Sequence, residues 1–502
     1  MRKYFQQQLE FGITPIHEVK LDLKSRHSLV PILRGLQYVF ETASINKEVF
    51  KILDEKIIGD KKKTGRPGMD LWEILVLGTV KLNLNIDYDA LHDLTNEHNA
   101  LRGILGIQRS DFREGRKYSL QSLKDNIGLL DEQTIYEIVE LIVKGGHELI
   151  KKKEGKACLN LKIRADSFVV ESNIHFPTDI NLLWDSVRKC IETIGYFRRQ
   201  NLRLTSWREW KDWRKKAKSK YRCASEVHRK KGANYKERLS ASVSSYIELC
   251  KTISLKVKLS ISELSVAQSV VRELSKLEEK KLKELLWYYE MLEKHIDLVN
   301  RRILLGQTIP HSEKIFSIFE PHVEWNSKGK AGASVELGHN VLVGFDQYRF
   351  ALYGEVYEKT VDKTRTIAIG KTLHEKYGNE EKVYSISFDK NFFSYPAEEN
   401  LAKQFKIYVL PKAGRKSKHE LSQIGNEEYE QVKKGHAQVE GNINELEQHG
   451  LGICRDKGIH GFKRVVAYGI LSHNLTNLGR LVITADLKKI KRMKNRKIRK
   501  IA

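Results

Sequence analysis

Residues 159–171 alternate apolar and polar side chains, from Leu159, Leu161 and Ile163 through Asp166 to Glu171. A period of two is what a strand with one face on a core requires. The Pro177 turn and a helix from about Asp179 follow. Then comes a long excursion, roughly 195–318, with helical periodicity and few glycines. Strand character returns at 333–343 and 350–356, a pair that reads as a hairpin through Asp346-Gln347. A helix near 364–376 leads to a strand over 383–388 that ends at Asp389. Another helix, a short strand over 407–410, a helix near 427–447 and a last one after Gly461 complete the pattern. The expected fold is therefore α/β, with a helical insertion after its first strand.

Charge narrows the partner. The chain of 502 residues carries a formal net charge of +25, and its pI is near 9.5. An excess of that size implies a polyanion, because each neutralised phosphate releases condensed counterions. The five cysteines are scattered and form no C-x-x-C pair. Neither a disulfide framework nor a zinc site is expected, and a reducing cytoplasm fits. No stretch reaches the ~18 apolar residues of a membrane helix, and the start lacks a signal peptide's apolar run.

Before the first strand, 27–150 read as short helices, with Leu71, Ile74, Leu75 and Gly78 at helical spacing and Asp131 placed to cap another. The basic run Lys61–Arg66 punctuates them, so this region is an expected DNA binder or a scaffold. In the excursion, Trp207, Trp210 and Trp213 recur every three residues among Arg198, Arg199, Arg203, Arg208, Lys211, Arg214, Lys215 and Lys216. They are read either as a buried helix face or as stacking platforms for bases. From about 235 to 305 the pattern is one or two long amphipathic helices. The C-terminal run 488–500 is read as a basic tail, mobile until it meets phosphate.

Three carboxylates attract the chemistry. Asp166 lies within the first strand and Asp389 at the end of a later one. Glu440 flanks an apolar helical stripe of Val439, Ile443 and Leu446, which aims it at the sheet edge. A buried carboxylate is costly unless paired or bound to metal. Carboxylates of this kind suit Mg²⁺, and two such ions can activate a water or a 3′-hydroxyl and stabilise the leaving oxygen of a phosphodiester.

The surrounding motifs carry a family resemblance. The run from Asp166-Ser-Phe-Val-Val-Glu171 through Asp179 to Asp185 is similar to the first-aspartate motif of the DDE transposases of bacterial insertion sequences, most closely the ISNCY group. Residues 328–338 resemble that group's second-strand motif, and Phe388-Asp-Lys-Asn-Phe-Phe-Ser394 its second-aspartate motif. Leu410-Pro-Lys-Ala-Gly-Arg-Lys416 resembles the basic loop after the next strand. Val439-Glu-Gly-Asn-Ile-Asn-Glu-Leu446 and its continuation resemble the glutamate motif, and Ser472-His-Asn-Leu475 closes the series.

The resemblance covers most of 25–480. It implies an RNase H-like fold, a catalytic and metal-binding triad of Asp166, Asp389 and Glu440, two Mg²⁺ (or Mn²⁺) ions, and terminal inverted repeats as substrate. The chain departs from related groups at His436, where they carry arginine, and at Glu447, where they carry lysine. Lys433, Lys434 and His449 are near substitutes. Phe388 stands where glycine is common.

The expected organisation is a helical N-terminal region (1–155), a first catalytic part (156–194), a basic tryptophan-containing insertion (195–318), the remainder of the catalytic domain (319–483) and a basic tail (484–502). Lys412, Arg415 and Lys416 are candidate phosphate contacts. Glu171, His175 and Asp179 are candidate supports of the triad, and Glu336 is read as structural. The expected activity is cleavage at transposon ends and transfer of the 3′-hydroxyl to target DNA, by a cytoplasmic, nucleoid-associated homodimer on double-stranded DNA. The alternatives are a domesticated DNA-binding protein and an RNase H-like nuclease without strand transfer.

Overall fold

The computed structural model describes residues 12–59, 68–109, 115–200, 204, 207, 209–230, 232–270, 273–327, 335–378 and 381–501. The basic run Lys61–Arg66, Arg203, Arg208 and the 328–334 part of the second-strand motif lie outside the described residues. The chain divides into two compact units, one formed by 1–173 with 326–502 and the other by 174–325.

The first unit is built on a mixed sheet. β1 (Asn160–Ser172) is its centre, with β2 (Glu324–Ser327), which crosses the boundary between the units, β3 (Val335–Phe345), β4 (Ala351–Tyr357), β5 (Lys382–Ser387), β6 (Ile407–Val409) and β7 (Ile453–Cys454) completing seven strands. β3 runs antiparallel to β1 and β4 antiparallel to β3, whereas β5 is parallel to β1 and β6 parallel to β5. β7 extends the far end of β1 beside Glu171 and Ser172. The hairpin turns where expected: Asp346 Oδ1 accepts from the amides of Tyr348 and Phe350, at 2.8 and 2.9 Å.

Burial along β1 is uneven. Leu161, Ile163 and Ala165 are buried on the odd-numbered face, while Phe168, Val170 and Ser172 are buried on the even-numbered one. Asn160 and Lys162 are exposed on that same even face. Asp166 stands between its open and its closed halves, so the carboxylate sits at a rim rather than in the core.

The N-terminal helices share one hydrophobic core with this sheet and so do not form a separate region ending at 155. Helix Leu71–Asn83 is buried at every position and starts in a capping box between Asp70 and Glu73, which satisfies two orphan amides. It packs, with Leu29–Glu41 and Glu132–Glu154, on the long helix Gly458–Ile501. Backbones nearly touch at one crossing: a Cβ on Gly479 would lie 1.8 Å from the Pro31 carbonyl oxygen, and one on Gly35 2.2 Å from that of Leu475. Only glycine permits that approach.

Two expectations are corrected. The basic run from 488 is not a loose tail; it continues helix Gly458–Ile501 without a break. Lys and Arg are good helix formers, and neither Gly nor Pro follows Gly479 to stop it. The helix expected over 427–447 is broken at His436-Ala437 into Glu427–Gly435 and Gln438–Leu446.

The second unit is helical, made of Asp179–Arg199, Trp210–Arg229, Tyr235–Val270 and Lys276–Val299 around a core that includes Ile191, Tyr246 and Leu292. Helix Asp179–Arg199, expected to lie in the catalytic part up to 194, belongs to this unit. All five cysteines are free thiols. Among the described residues, no helix is long and apolar enough to cross a membrane.

Candidate active site

The β1–β5 register ends two residues short of both aspartates. Arg164 on β1 pairs with Ser387 on the parallel β5. Two residues further along the chain from these stand Asp166, within β1, and Asp389, beyond the end of β5. Asp389 itself follows β5, and its carbonyl accepts from the Phe392 amide at 3.2 Å in the short turn Lys390–Phe392. Phe388 is buried against Phe392 with ring centroids 5.3 Å apart.

Glu440 comes from helix Gln438–Leu446, which packs on β1 through its apolar stripe, with Val439 and Leu446 buried. The same helix buries Asn442, whose side-chain oxygen accepts from Arg349 Nε at 3.1 Å. Arg349 also bonds Glu445, which Arg480 reaches from the long helix. Arg349 has a positive φ of 69°, an uncommon conformation for a residue other than glycine. The network clamps the glutamate helix to the hairpin and the long helix.

Electrostatics tie the group together. Burial pushes the Asp166 carboxyl up to about 6, helped by the negative charges of Asp389, Asp362 and Glu440, against a bond from its own neighbour's amide, Ser167 N–H, at 2.8 Å. Asp362 is a fourth carboxylate that sequence reasoning missed. It opens helix Asp362–Tyr377 and accepts from the Tyr357 hydroxyl. His436, at the break between the two helices, lies 3.0 Å from Ser387 Oγ by its Nδ1. Burial lowers its pKa and nearby Arg164 adds to that, opposed by Asp389 and Glu440. Arg164 was also missed; it shares the face of Asp166, and its guanidinium reaches the Asp346 carbonyl at 3.4 Å.

Hard oxygen donors around a half-buried carboxyl fit a divalent ion such as Mg²⁺ in their chemistry. Among the described residues, however, no three His, Cys, Asp or Glu side chains converge closely enough to form a metal cage. The two observations differ in range, since charges act on one another well beyond coordination distance. Mg²⁺ keeps several waters and takes only one or two carboxylates, so a loose ring is compatible with it.

The other candidate residues divide. Lys412 donates to the Tyr395 hydroxyl at 2.8 Å, with its ammonium 5.0 Å from that ring and 5.7 Å from Phe393, so the basic loop meets the segment after Asp389. Arg415, Lys416, Lys433 and Lys434 are exposed. Glu171 lies on β1, on the face opposite Asp166. His175 and Asp179 belong to the second unit, where they pair with Asp185 at 3.3 Å and Arg302 at 2.8 Å; the unit that carries Asp166, Asp389 and Glu440 does not contain them. Trp207 is fully buried in the helical core, so it is not available to stack on a base. Trp210 and Trp213 are half-buried against that core, Trp213 edge-on to Trp207 at 6.4 Å.

The Ser472–Leu475 motif is structural. Ser472 Oγ donates to the Thr79 carbonyl at 2.9 Å, and His473 Nε2 lies 2.8 Å from that of Arg349. Asn474 accepts from Ala351 N–H at 2.8 Å and donates to the Ala351 carbonyl at 2.9 Å, acting as a piece of strand beside β4. Compared with protein-family models, curated proteins and solved structures, the chain matches none.

Proposed function

We propose that the chain is a DDE transposase that cuts and joins DNA at Asp166, Asp389 and Glu440. The observation that carries the reading is that Asp166 and Asp389 each stand two residues beyond the last β1–β5 pair, Arg164 with Ser387, and that the charges of Asp389 and Glu440 both raise the Asp166 carboxyl. The strand order β4-β3-β1-β5-β6, with β3 alone antiparallel to β1, supports an RNase H-like catalytic domain.

Asp166, Asp389 and Glu440 would hold two Mg²⁺ or Mn²⁺ ions. Bound there, such ions supply Lewis-acid activation of a water or 3′-hydroxyl and neutralise charge on the leaving oxygen. The protein's own part is positioning. The clamp of Arg349, Glu445 and Arg480 fixes the helix that carries Glu440, while Asp362 adds negative charge beside Asp166. Lys412, Arg415 and Lys416 offer contacts to phosphate, which orient DNA without reading bases. Two transposon ends imply a homodimer on DNA.

The test incubates the full chain with inverted-repeat DNA, a target plasmid and Mg²⁺. A transposase gives joined product, and Asp166→Asn, Asp389→Asn or Glu440→Gln each abolish cleavage while end binding persists. Cutting without joining would instead indicate a nuclease, and binding without cutting a DNA-binding protein. Near-normal turnover in one of the three variants removes that residue from the triad.

A further inference from the structure

The helical unit contains a cavity of about 620 Å³, partly open to solvent, a size that holds a small organic ligand. One wall is aromatic. The Phe316 and Trp325 ring centroids are 5.4 Å apart with planes tilted by 37°, and Phe176 meets Trp325 edge-on at 5.9 Å. Phe176 is 59% exposed, a large ring left open to solvent.

His295, on helix Lys276–Val299, also lines the cavity and is fully buried. Its Nδ1 lies 2.7 Å from the Met291 carbonyl oxygen. A carbonyl only accepts, so Nδ1 carries the hydrogen and Nε2 presents a bare lone pair. That Nε2 is buried and has no hydrogen-bond partner in the protein, a state that costs stability unless a donor fills it. Burial lowers the imidazole to about 4, so it is neutral at pH 7 and accepts rather than donates. Arg302 and Lys314 bring positive charge to the lining, Arg302 already paired with Asp179 at 2.8 Å.

We propose that this cavity binds an amino-purine nucleotide. Its ring lies on the Phe316–Trp325 wall, an N–H of the base donates to His295 Nε2, and the phosphate meets Arg302 and Lys314. A neutral buried acceptor selects a ring with a donor, the aromatic wall selects a flat one, and the cations select an anionic substituent. The same chemistry is presented by a free mononucleotide and by a nucleotide of a single strand. Nothing in this assignment depends on the carboxylates of the first unit, so it stands or falls apart from the transposase reading.

Calorimetric titration of the full chain with adenosine 5′-monophosphate, and with purine riboside 5′-monophosphate, which lacks the amino group, tests it. The amino compound is expected to bind about tenfold more tightly. His295→Phe should bring it down to the level of the analogue, and Phe176→Ala, at an exposed ring whose loss spares the fold, should weaken both. A parallel titration uses a short adenine-containing single strand and the same strand with an abasic site. If strand-borne nucleotides are the source, the abasic strand loses affinity and the free nucleotide competes poorly. If the free nucleotide is the source, the two strands behave alike. Equal affinity for the amino compound and its analogue, no effect of Phe176→Ala, or no binding of either nucleotide or strand overturns the assignment.

Discussion

Replacing Asn474 with Ala tests whether a motif that resembles catalytic machinery acts through the fold. Its amide makes two hydrogen bonds to Ala351, at 2.8 and 2.9 Å, and both residues are fully buried. The substitution orphans a backbone N–H and a carbonyl together, and each orphan costs about 1–3 kcal/mol. Alanine returns up to about 0.7 kcal/mol in helix propensity. The net loss is then roughly 1–5 kcal/mol, and at 1.4 kcal/mol per decade the local opening that exposes β4 becomes roughly 5- to 4,000-fold more frequent. Native-state hydrogen exchange on peptides spanning 351–357 reads this directly, with urea denaturation alongside. Asn477→Ala, which loses a single bond to the Tyr348 carbonyl at 2.8 Å, is the milder comparison. Unchanged exchange at β4 together with an unchanged denaturation midpoint in Asn474→Ala would refute the strand-mimic account.

Metal dependence should follow oxygen chemistry: Mg²⁺ or Mn²⁺ supports cleavage, Ca²⁺ permits binding only, and a chelator stops turnover without shifting the melting temperature; full-rate cleavage in excess chelator contradicts it. Truncating the chain after Leu487 removes a basic stretch whose residues 488–496 are exposed, and should weaken DNA binding evenly across sequences while flattening its salt dependence, as measured by titration at several ionic strengths. Trp207→Ala opens a hole in the helical core and should cost about 3–5 kcal/mol, so equal loss on forked and duplex DNA with lower thermal stability is expected, and a selective loss on forked DNA contradicts burial. Glu73 is pushed up to about 7, burial outweighing the Arg116 guanidinium 3.0 Å away. Its folded state holds the proton more tightly than the unfolded chain does, so its contribution is full below the ordinary carboxylate range and is lost as pH rises through 7. Glu73→Gln should flatten stability between pH 5 and 8 in urea melts, and an unaltered slope contradicts the assignment.

The parts of the fold that follow a short period were readable from sequence. The alternation at 159–171 and the Asp346 hairpin appear as β1, β3 and β4, and Val439 and Leu446 are buried as the stripe required. Asp362 escaped notice because an acidic residue in a helix's first turn is ordinary, and only the folded chain brings it near Asp166. The Arg349–Glu445–Arg480 clamp spans three distant segments with no periodicity to betray it. The spacing of the tryptophans misleads for a different reason: helix Trp210–Arg229 begins after Trp207, so the three never share one helical face.

The position of β1 at the centre of the sheet has a consequence for how the chain is made. Its neighbours β3 and β5 lie roughly 170 and 220 residues downstream. On a ribosome adding about 5–20 residues per second, β1 therefore waits on the order of 10–30 s before any flanking strand exists. Residues 174–325 emerge in that interval as a contiguous stretch with a core of their own. The helical unit is thus free to fold first, while both edges of an apolar strand stay unpaired. That interval is when self-association through β1 is most competitive, so slowed translation after residue 325 should lower the soluble yield more than the same delay before residue 159.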